Sequence, residues 1–496
     1  MREWWVWLSV ACLAAACGKG ASADRPDGRA DGGTLSDGGT GGDGGGDGLG
    51  SIGPLGETTW TPLLDGSLSR FYRWMPSKGR NDDPEGVFRM EGDTLHVLGL
   101  PDSDEAKDFG YLATSADLGN YRARVEQKWG TARFAPRKDE LRDTGLLYHV
   151  RGQDQIWPQC IEFQVMEYST GDLWMLSGTG VRAPVKDGSE AIFDPLGTPE
   201  DFRDGRIIKS SEPESLTDWN TLELIASGRD SAQIVNGRWV NGATAIEADS
   251  GDGWGGLSHG HLALQAEGAE VFFRALEVRP LAYLPPPPEA TVLFDGSDLD
   301  AWRGRDGGTA GWKVEDGAME VVPFAGDLFT RETHGDVRLH LEFQVPATPT
   351  DQATEDRGNS GVYLQGRYEV QILDTFGRDP GLVDCGAIYG VRAPTVNEAF
   401  PPAIWQSFDV VFRAPTWDGT TKTAPARMTV VWNGSLVQED VEVPGPTRLG
   451  DAEAPGPGPI RLQDHWNKVR YRNIWIQPLA PEGTDGGTGG APDGGP

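Results

Sequence analysis

Apolar and polar residues alternate along most of this chain. In the stretch 339–345, Leu339, Leu341, Phe343 and Val345 fall on one side, and His340, Glu342 and Gln344 on the other. In YEVQILD (Tyr368–Asp374), Val370 and Ile372 share the apolar side while Glu369 and Gln371 share the polar one. A period of two is that of a strand with one face on a core. Such blocks recur between turns rich in Gly, Pro, Asp and Asn, and no convincing helical run interrupts them. The pattern predicts an all-β fold of many short antiparallel strands, as a β-sandwich or jelly roll.

The blocks also repeat in order. LLDGS (Leu63–Ser67) corresponds to LFDGS (Leu293–Ser297), and FRMEGDTLHV (Phe88–Val97) to WKVEDGAMEV (Trp312–Val321). YRARVEQKW (Tyr121–Trp129) matches VRLHLEFQV (Val337–Val345), and DTGLLYHVRG (Asp143–Gly152) matches NSGVYLQGRY (Asn359–Tyr368). IEFQVME (Ile161–Glu167) matches YEVQILD, so Glu162 and Gln164 correspond to Glu369 and Gln371. WNTLELI (Trp219–Ile225) matches WQSFDVV (Trp405–Val411), and Asn236-Gly237 and Asn433-Gly434 are turn dipeptides between strand-like runs. Leu262–Leu281 aligns without gaps on Ile460–Leu479. Order kept across the whole set is the mark of a tandem duplication.

Punctuation sets the domains. LPPPPE, residues 284–289, reads as a stiff polyproline spacer between a first body, 57–283, and a second, 290–480. Residues 18–56 are rich in Gly and Asp and read as a flexible tether; the Asp-Gly repeats lack the ligand spacing of a calcium loop. Residues 481–496 have the same composition and the same reading. The apolar run Trp4–Ala16 is too short to span a bilayer and ends in LAAAC, so residues 1–17 resemble a lipoprotein signal with Cys17 as the lipidated residue. Export, with membrane attachment only through that lipid, is the expected localisation.

Composition narrows the partners. The 496 residues carry a formal net charge of −31 at pH 7, which argues against nucleic acid or an anionic membrane surface and suits a neutral substrate. The 18 Trp and 69 Gly agree with the all-β reading. Of the four Cys, Cys160 and Cys385 fall one in each body and read as buried thiols rather than a disulfide framework.

Taken together, the DGS…W start, the W-x-V-E-D-G block, N-S-G-V-Y, Y-E-V-Q-I-L-D, G-A-I-Y-G, L-Q-D-H and the R-N-I-W-I-x-P-L ending resemble the 3-keto-disaccharide hydrolase family. The likeness covers almost all of the second body. The first body resembles a divergent branch through DTGLLYHVRG, WPQCIEFQVMEYSTGDLW and QAEGAEVFFRALEVRPL. The resemblance implies two tandem concanavalin A-like β-sandwiches, each with a concave sugar-binding face. It implies action on sugars oxidised to a ketone at C3, as hydrolysis, 1,2-elimination or hydration, and hence an upstream sugar oxidoreductase. Chemistry of this kind needs a base near C2, a donor or cation at the ketone oxygen and an acid for the leaving group.

On that reading the catalytic candidates are Glu369 and Glu162, with His465 of LQDHW and its counterpart Glu267. Glu369 and Gln371 stand roughly 6.5–7 Å apart on one strand face, as do Glu162 and Gln164. The substrate-binding candidates are Gln371, Gln164, Glu342, Glu126, Tyr363, His149 and Trp174. Hydrogen-bonding groups beside aromatic rings are what a sugar requires. Trp157 and Trp174 read equally as stacking platforms or core, Asn359 as a turn residue, and Asp374, on the apolar side by parity, as a strand-end cap or as chemistry. No C-x-x-C pair, H-E-x-x-H, P-loop or G-x-S-x-G occurs. Metal ligands scattered over a sheet leave no linear signature, so a divalent cation stays open. The competing reading is a surface protein that binds carbohydrate without cleaving it.

Overall fold

The computed structural model describes residues 53–99 and 103–480. The expected signal segment with Cys17, most of the Gly/Asp tether and the tail 481–496 lie outside the described residues.

Each body is two antiparallel sheets face to face. In the first, one sheet runs Phe71–Met75, Gly110–Thr114, His261–Ala266, Asp143–Arg151, Gln159–Met166, Leu173–Val185. The facing sheet runs Phe88–Glu91, Thr94–Val97, Ala269–Pro280, Tyr121–Ala135, Asn220–Ser227, Asp230–Val235. Arg238–Asp249 pairs with both sheets and closes one edge. In the second body the order is Trp302–Arg303, Leu328–Thr330, Arg461–Leu462, Ser360–Leu364, Tyr368–Ile372. Its facing sheet is centred on Arg470–Pro478, Val337–Gln344 and Gln406–Arg413. Corresponding strands occupy corresponding places. The fold is two tandem β-sandwiches of the jelly-roll class, and the helical content among the described residues is one 3-10 turn, Thr354–Asp356.

Parity does what the sequence pattern predicts. Ile161, Phe163 and Val165 are buried in one core, Val370 and Ile372 in the other. The duplication extends to single hydrogen bonds. Thr144 Oγ1 donates to the Gln265 carbonyl (2.8 Å), and Ser360 Oγ to that of Gln463 (2.6 Å). Both Asn-Gly turns have positive φ at both residues, the geometry that tight hairpins demand. In each, the Asn side chain accepts from the backbone N–H of Thr221 or Ser407 (2.8 Å in both). Asp374 is buried against Arg357 (2.5 Å), as Glu167 is against Arg142 (2.7 Å), so the last residue of each motif is an ion-paired strand end.

The bodies are packed together rather than held apart by the proline run. Ile225, Ala232, Ile234 and Leu281 of the first meet Phe400 and Ile404 of the second. At this seam Glu398 accepts from Arg122 (2.9 Å), Arg279 (3.2 Å) and Ser435 (2.7 Å). The Leu284 carbonyl, at the start of the expected spacer, accepts from Asn473 and Trp475. The end of the expected tether is also docked: the Pro54 carbonyl accepts from Arg338 (2.5 Å) of the second body.

Removing Glu398 leaves two largely buried guanidinium groups facing each other. Glu398→Ala is expected to cost about 3 kcal/mol in urea unfolding, and Glu398→Gln, which keeps the Ser435 bond, less. An unchanged midpoint in both variants would show that water replaces the carboxylate without cost.

Candidate functional site

Three neighbouring strands build the site in each body. In the second body they are Ser360–Leu364, Tyr368–Ile372 and Arg461–Leu462 with the residues that follow it. Glu369 stands directly opposite Tyr363, and Gln371 opposite Gly361. Gly361 matters because a Cβ there would overlap the Glu369 carboxylate. The bare backbone lets the acid lie down over the sheet instead of reaching into water. Glu369 is 3% exposed, and its burial pushes its pKa up to about 8, against smaller lowering effects from Tyr363, Arg461 and Arg448.

Its neighbours are polar and ordered. The Gln371 amide, oriented with nitrogen as donor, hydrogen-bonds Glu369 Oε1 (3.2 Å) and the Ser360 carbonyl (2.7 Å). Gln463 Nε2 donates to the Tyr363 hydroxyl (3.2 Å), which donates to the Arg448 carbonyl (3.3 Å). The Arg461 guanidinium covers the Tyr363 ring, 4.3 Å from its centroid, and pairs with Asp327. Glu369, Gln371, Tyr363 and Gln463 floor a cleft whose wall adds Glu355, Asn359, Tyr389, Arg448, Leu449 and half-buried His465. Gln463 Oε1 and His465 Nδ1 have no hydrogen-bond partner among the described residues, so a ligand could satisfy them.

The first body keeps the floor and changes its charges. A Cβ on Gly145 would overlap the side-chain oxygens of both Glu162 and Gln265. Asp143 replaces Asn359, Glu267 replaces His465, and Leu147 replaces Tyr363. Arg137 bridges Asp143 (2.7 Å) and Glu267 (3.1 Å), and Trp157 Nε1 donates to Glu267 (3.1 Å). Burial, then the Glu267 and Asp143 carboxylates, raises Glu162 well above the usual carboxylate range. Trp174 pairs in register with Glu162, and Trp157 is an exposed side chain rather than core. Asp143 Oδ1, Gln164 Oε1, Gln265 Oε1 and Trp174 Nε1 are buried without a partner among the described residues. For a cation, the donor set fits poorly: Arg137 already lies between two of the carboxylates. Among the described residues no group of three or more His, Cys, Asp and Glu is arranged to hold a metal ion.

Three expected binding residues lie elsewhere. Glu342 is on the facing sheet, where it accepts from Arg472 (2.6 Å) and Asn473 (2.7 Å) beneath the inter-body seam. His340 beside it pairs with Asp409 (3.0 Å). Glu126 is on the outer face of the corresponding sheet, paired with Arg274. Alternation identifies a strand's polar face but not which sheet the strand joins. His149 sits at a bulge with φ 55°, fully buried against Tyr148, and its titratable neighbours are His259, Arg151 and Asp117 rather than Glu162, Asp143 and Glu267. Burial lowers its pKa to about 4. The bulge breaks the parity that would have turned it to the sugar face.

Sequence reasoning missed Gln463, Gln265, Asp143, Arg137, Tyr389 and Arg448. The two Gln were visible in the aligned LALQ and IRLQ blocks, and Tyr389 in GAIYG. Arg137 and Arg448 come from loops without a motif.

A 3-keto-alpha-glucoside-1,2-lyase-like domain profile matches residues 59–279 and again 289–477. The chain belongs to this family. Its two copies coincide with the two sandwiches, and the family is one of carbohydrate-active proteins. Among solved structures, a candidate glycosyl hydrolase from Parabacteroides distasonis is 38% identical over 39% of this chain and 85% of its own, with a TM-score of 0.37. A second from the same organism is 22% identical over 38% and 94%, with a TM-score of 0.29. A Bacillus licheniformis β-glucanase is 9% identical over 45% and 98%, with a TM-score of 0.28. No curated protein matches the chain.

Gly361→Ala is expected to push the Glu369 carboxylate towards water. Its pKa, read by carbon NMR of labelled Glu, should fall from about 8 towards the ordinary range, at a stability cost of about 1–3 kcal/mol. An unmoved pKa would contradict the role given to the glycine.

Proposed function

We propose that the second body cleaves 3-keto-glycosides, with Glu369 as the base that removes the C2 proton. The observation that carries this reading is a single buried carboxylate, its pKa pushed up to about 8, on the floor of a cleft lined mainly by amides, hydroxyls and His465, with Arg448 and the exposed Glu355 at its wall. A ketone at C3 acidifies C2–H. Glu369 takes that proton, the electron pair forms the enolate, and the enolate expels the glycosidic oxygen from C1 as the C1=C2 bond forms. The second amide N–H of Gln463, and the Tyr363 hydroxyl once it turns from the Arg448 carbonyl, are the donors for the ketone oxygen, and His465 is the proton source for the departing oxygen. Water adding at C1 of the resulting enone completes net hydrolysis. Family membership and the glycosyl-hydrolase description of the Parabacteroides relatives support the substrate class.

For the first body the same geometry favours binding without cleavage. Burial and two further carboxylates raise Glu162 well above the usual carboxylate range, which disfavours its ionised, basic form, while four unpartnered polar atoms and two Trp rings suit sugar hydroxyls and a pyranose face. The reaction requires an oxidoreductase that supplies the 3-keto sugar. The N-terminal segment supports export with Cys17 lipidated, which mass spectrometry of the membrane fraction would test.

The experiment is to follow sugar release from a 3-keto-glucoside. Glu369→Gln should lower kcat/KM about 10³-fold, and Glu162→Gln should leave it within about threefold. Because the base must be ionised, wild-type kcat/KM should rise about tenfold per pH unit up to roughly pH 8 and then level. Binding without release by the wild type would favour the non-catalytic alternative. Equal losses in the two variants would move catalysis to both bodies.

A further inference from the structure

Two large rings stand in water at the edge of the Glu369 cleft. Phe324 is 80% exposed and Trp466 59% exposed, and they stack on each other with centroids 5.9 Å apart and planes 29° apart. Trp466 in turn lies 5.1 Å from the ring of His465, which lines the cleft. The three rings therefore make a step that leads outward from the site.

Folding alone does not account for the step. Both aromatic residues have left-handed backbones, φ 71° at Phe324 and 64° at Trp466. A bulky side chain in this region is strained, because its Cβ crowds the backbone. Exposed rings return little of that through burial. The duplicated body shows the unstrained solution: the residue aligned with Trp466 is Gly268, in the same backbone region at φ 83°. The second body has placed a Trp where its copy has a Gly.

The loops beneath the rings are also fixed. Asp464 Oδ2 accepts from the Gly326 N–H (2.9 Å), and Asp464 Oδ1 from the Trp466 N–H (2.9 Å). The Asp464 N–H donates to Asp327 Oδ1 (2.9 Å), and Trp312 Nε1 to the Gly326 carbonyl (3.0 Å). One carboxylate thus ties both aromatic loops together, so the step is formed before any ligand arrives. Strain held in place at the rim of a site is characteristic of a functional contact.

We infer that Phe324 and Trp466 form the leaving-group subsite, a platform that selects substrates whose aglycone is a ring with a flat apolar face. The inference rests on the 3-keto-glycoside reading of the cleft. The polar floor takes the oxidised sugar, and the rings take the group beyond the scissile bond by stacking. An aryl group and a second pyranose both offer such a face, whereas a methyl group does not.

The test is calorimetric binding of three 3-keto-glucosides, with methyl, phenyl and glucosyl aglycones, to full-length protein carrying Glu369→Gln to stop turnover. Adding Trp466→Gly, which the backbone accepts without strain, should weaken at least one ring aglycone about tenfold and leave the methyl glycoside unchanged; Trp466→Phe should restore most of the loss. Phenyl and glucosyl arms report which ring is preferred. Equal weakening of all three ligands, or none, would overturn the platform while leaving the cleft's assignment intact. Failure of all three to bind without the added substitution would overturn the assignment and the platform with it. Self-association in sedimentation velocity that Trp466→Gly abolishes, with ligand affinities unchanged, would assign the rings to a protein contact instead.

Discussion

Glu369 loses its water because the strand beside it offers a glycine in place of a side chain. With Gly361 bare, the carboxylate can lie against the backbone, and burial then outweighs Tyr363, Arg461 and Arg448, all of which favour its ionised form. Nearly everything else at the site follows from accommodating that buried acid. Gln371 gives it a donor, and the hydrogen bond from Gln463 fixes Tyr363 beside it. The same constraint acts in the first body through Gly145 and Glu162, which is why the Glu, the Gln and the Gly recur together in both copies.

The copies differ in what surrounds the acid, and the difference has a chemical consequence. Asn359 and His465 in the second body stand where Asp143 and Glu267 stand in the first. Replacing two acids by an amide and an imidazole removes the repulsion that adds to burial in raising Glu162. A buried acid apart from such a cluster is pushed up to about 8; an acid in a cluster of three is raised by its neighbours as well as by burial, and Arg137 is spent on the other two. Duplication thus yields one floor with two electrostatic settings, without changing the sheet that carries it.

The architecture was largely legible before the structure, because a period of two and an ordered repeat are direct consequences of pleated, duplicated sheets. The pairing of Glu369 with Gln371 on a polar face, and the correspondence of His465 with Glu267, were legible for the same reason. Glu342 and Glu126 were misplaced because the facing sheet has a polar outer side with the same period, and only tertiary pairing separates the two. His149 was misplaced because one left-handed residue reverses parity, and nothing in YHVRG announces it. The proline run suggested a spacer, yet the Leu284 carbonyl is held by Asn473 and Trp475. Composition gives a segment's stiffness, not the surface it meets.

The misplaced residues have work of their own. Burial opposes charge on His340, yet Asp409 raises its pKa, while His340, Arg472 and Asn473 lower that of Glu342 against the same opposition. Asn473 also donates to the Leu284 carbonyl, so this buried network fixes where the linker leaves the first body. A charged network that ends on a backbone carbonyl defines a position better than an apolar contact, because its donors are directional. The polar face of the facing sheet therefore orients one sandwich on the other, and the polar face of the site sheet is left free for chemistry.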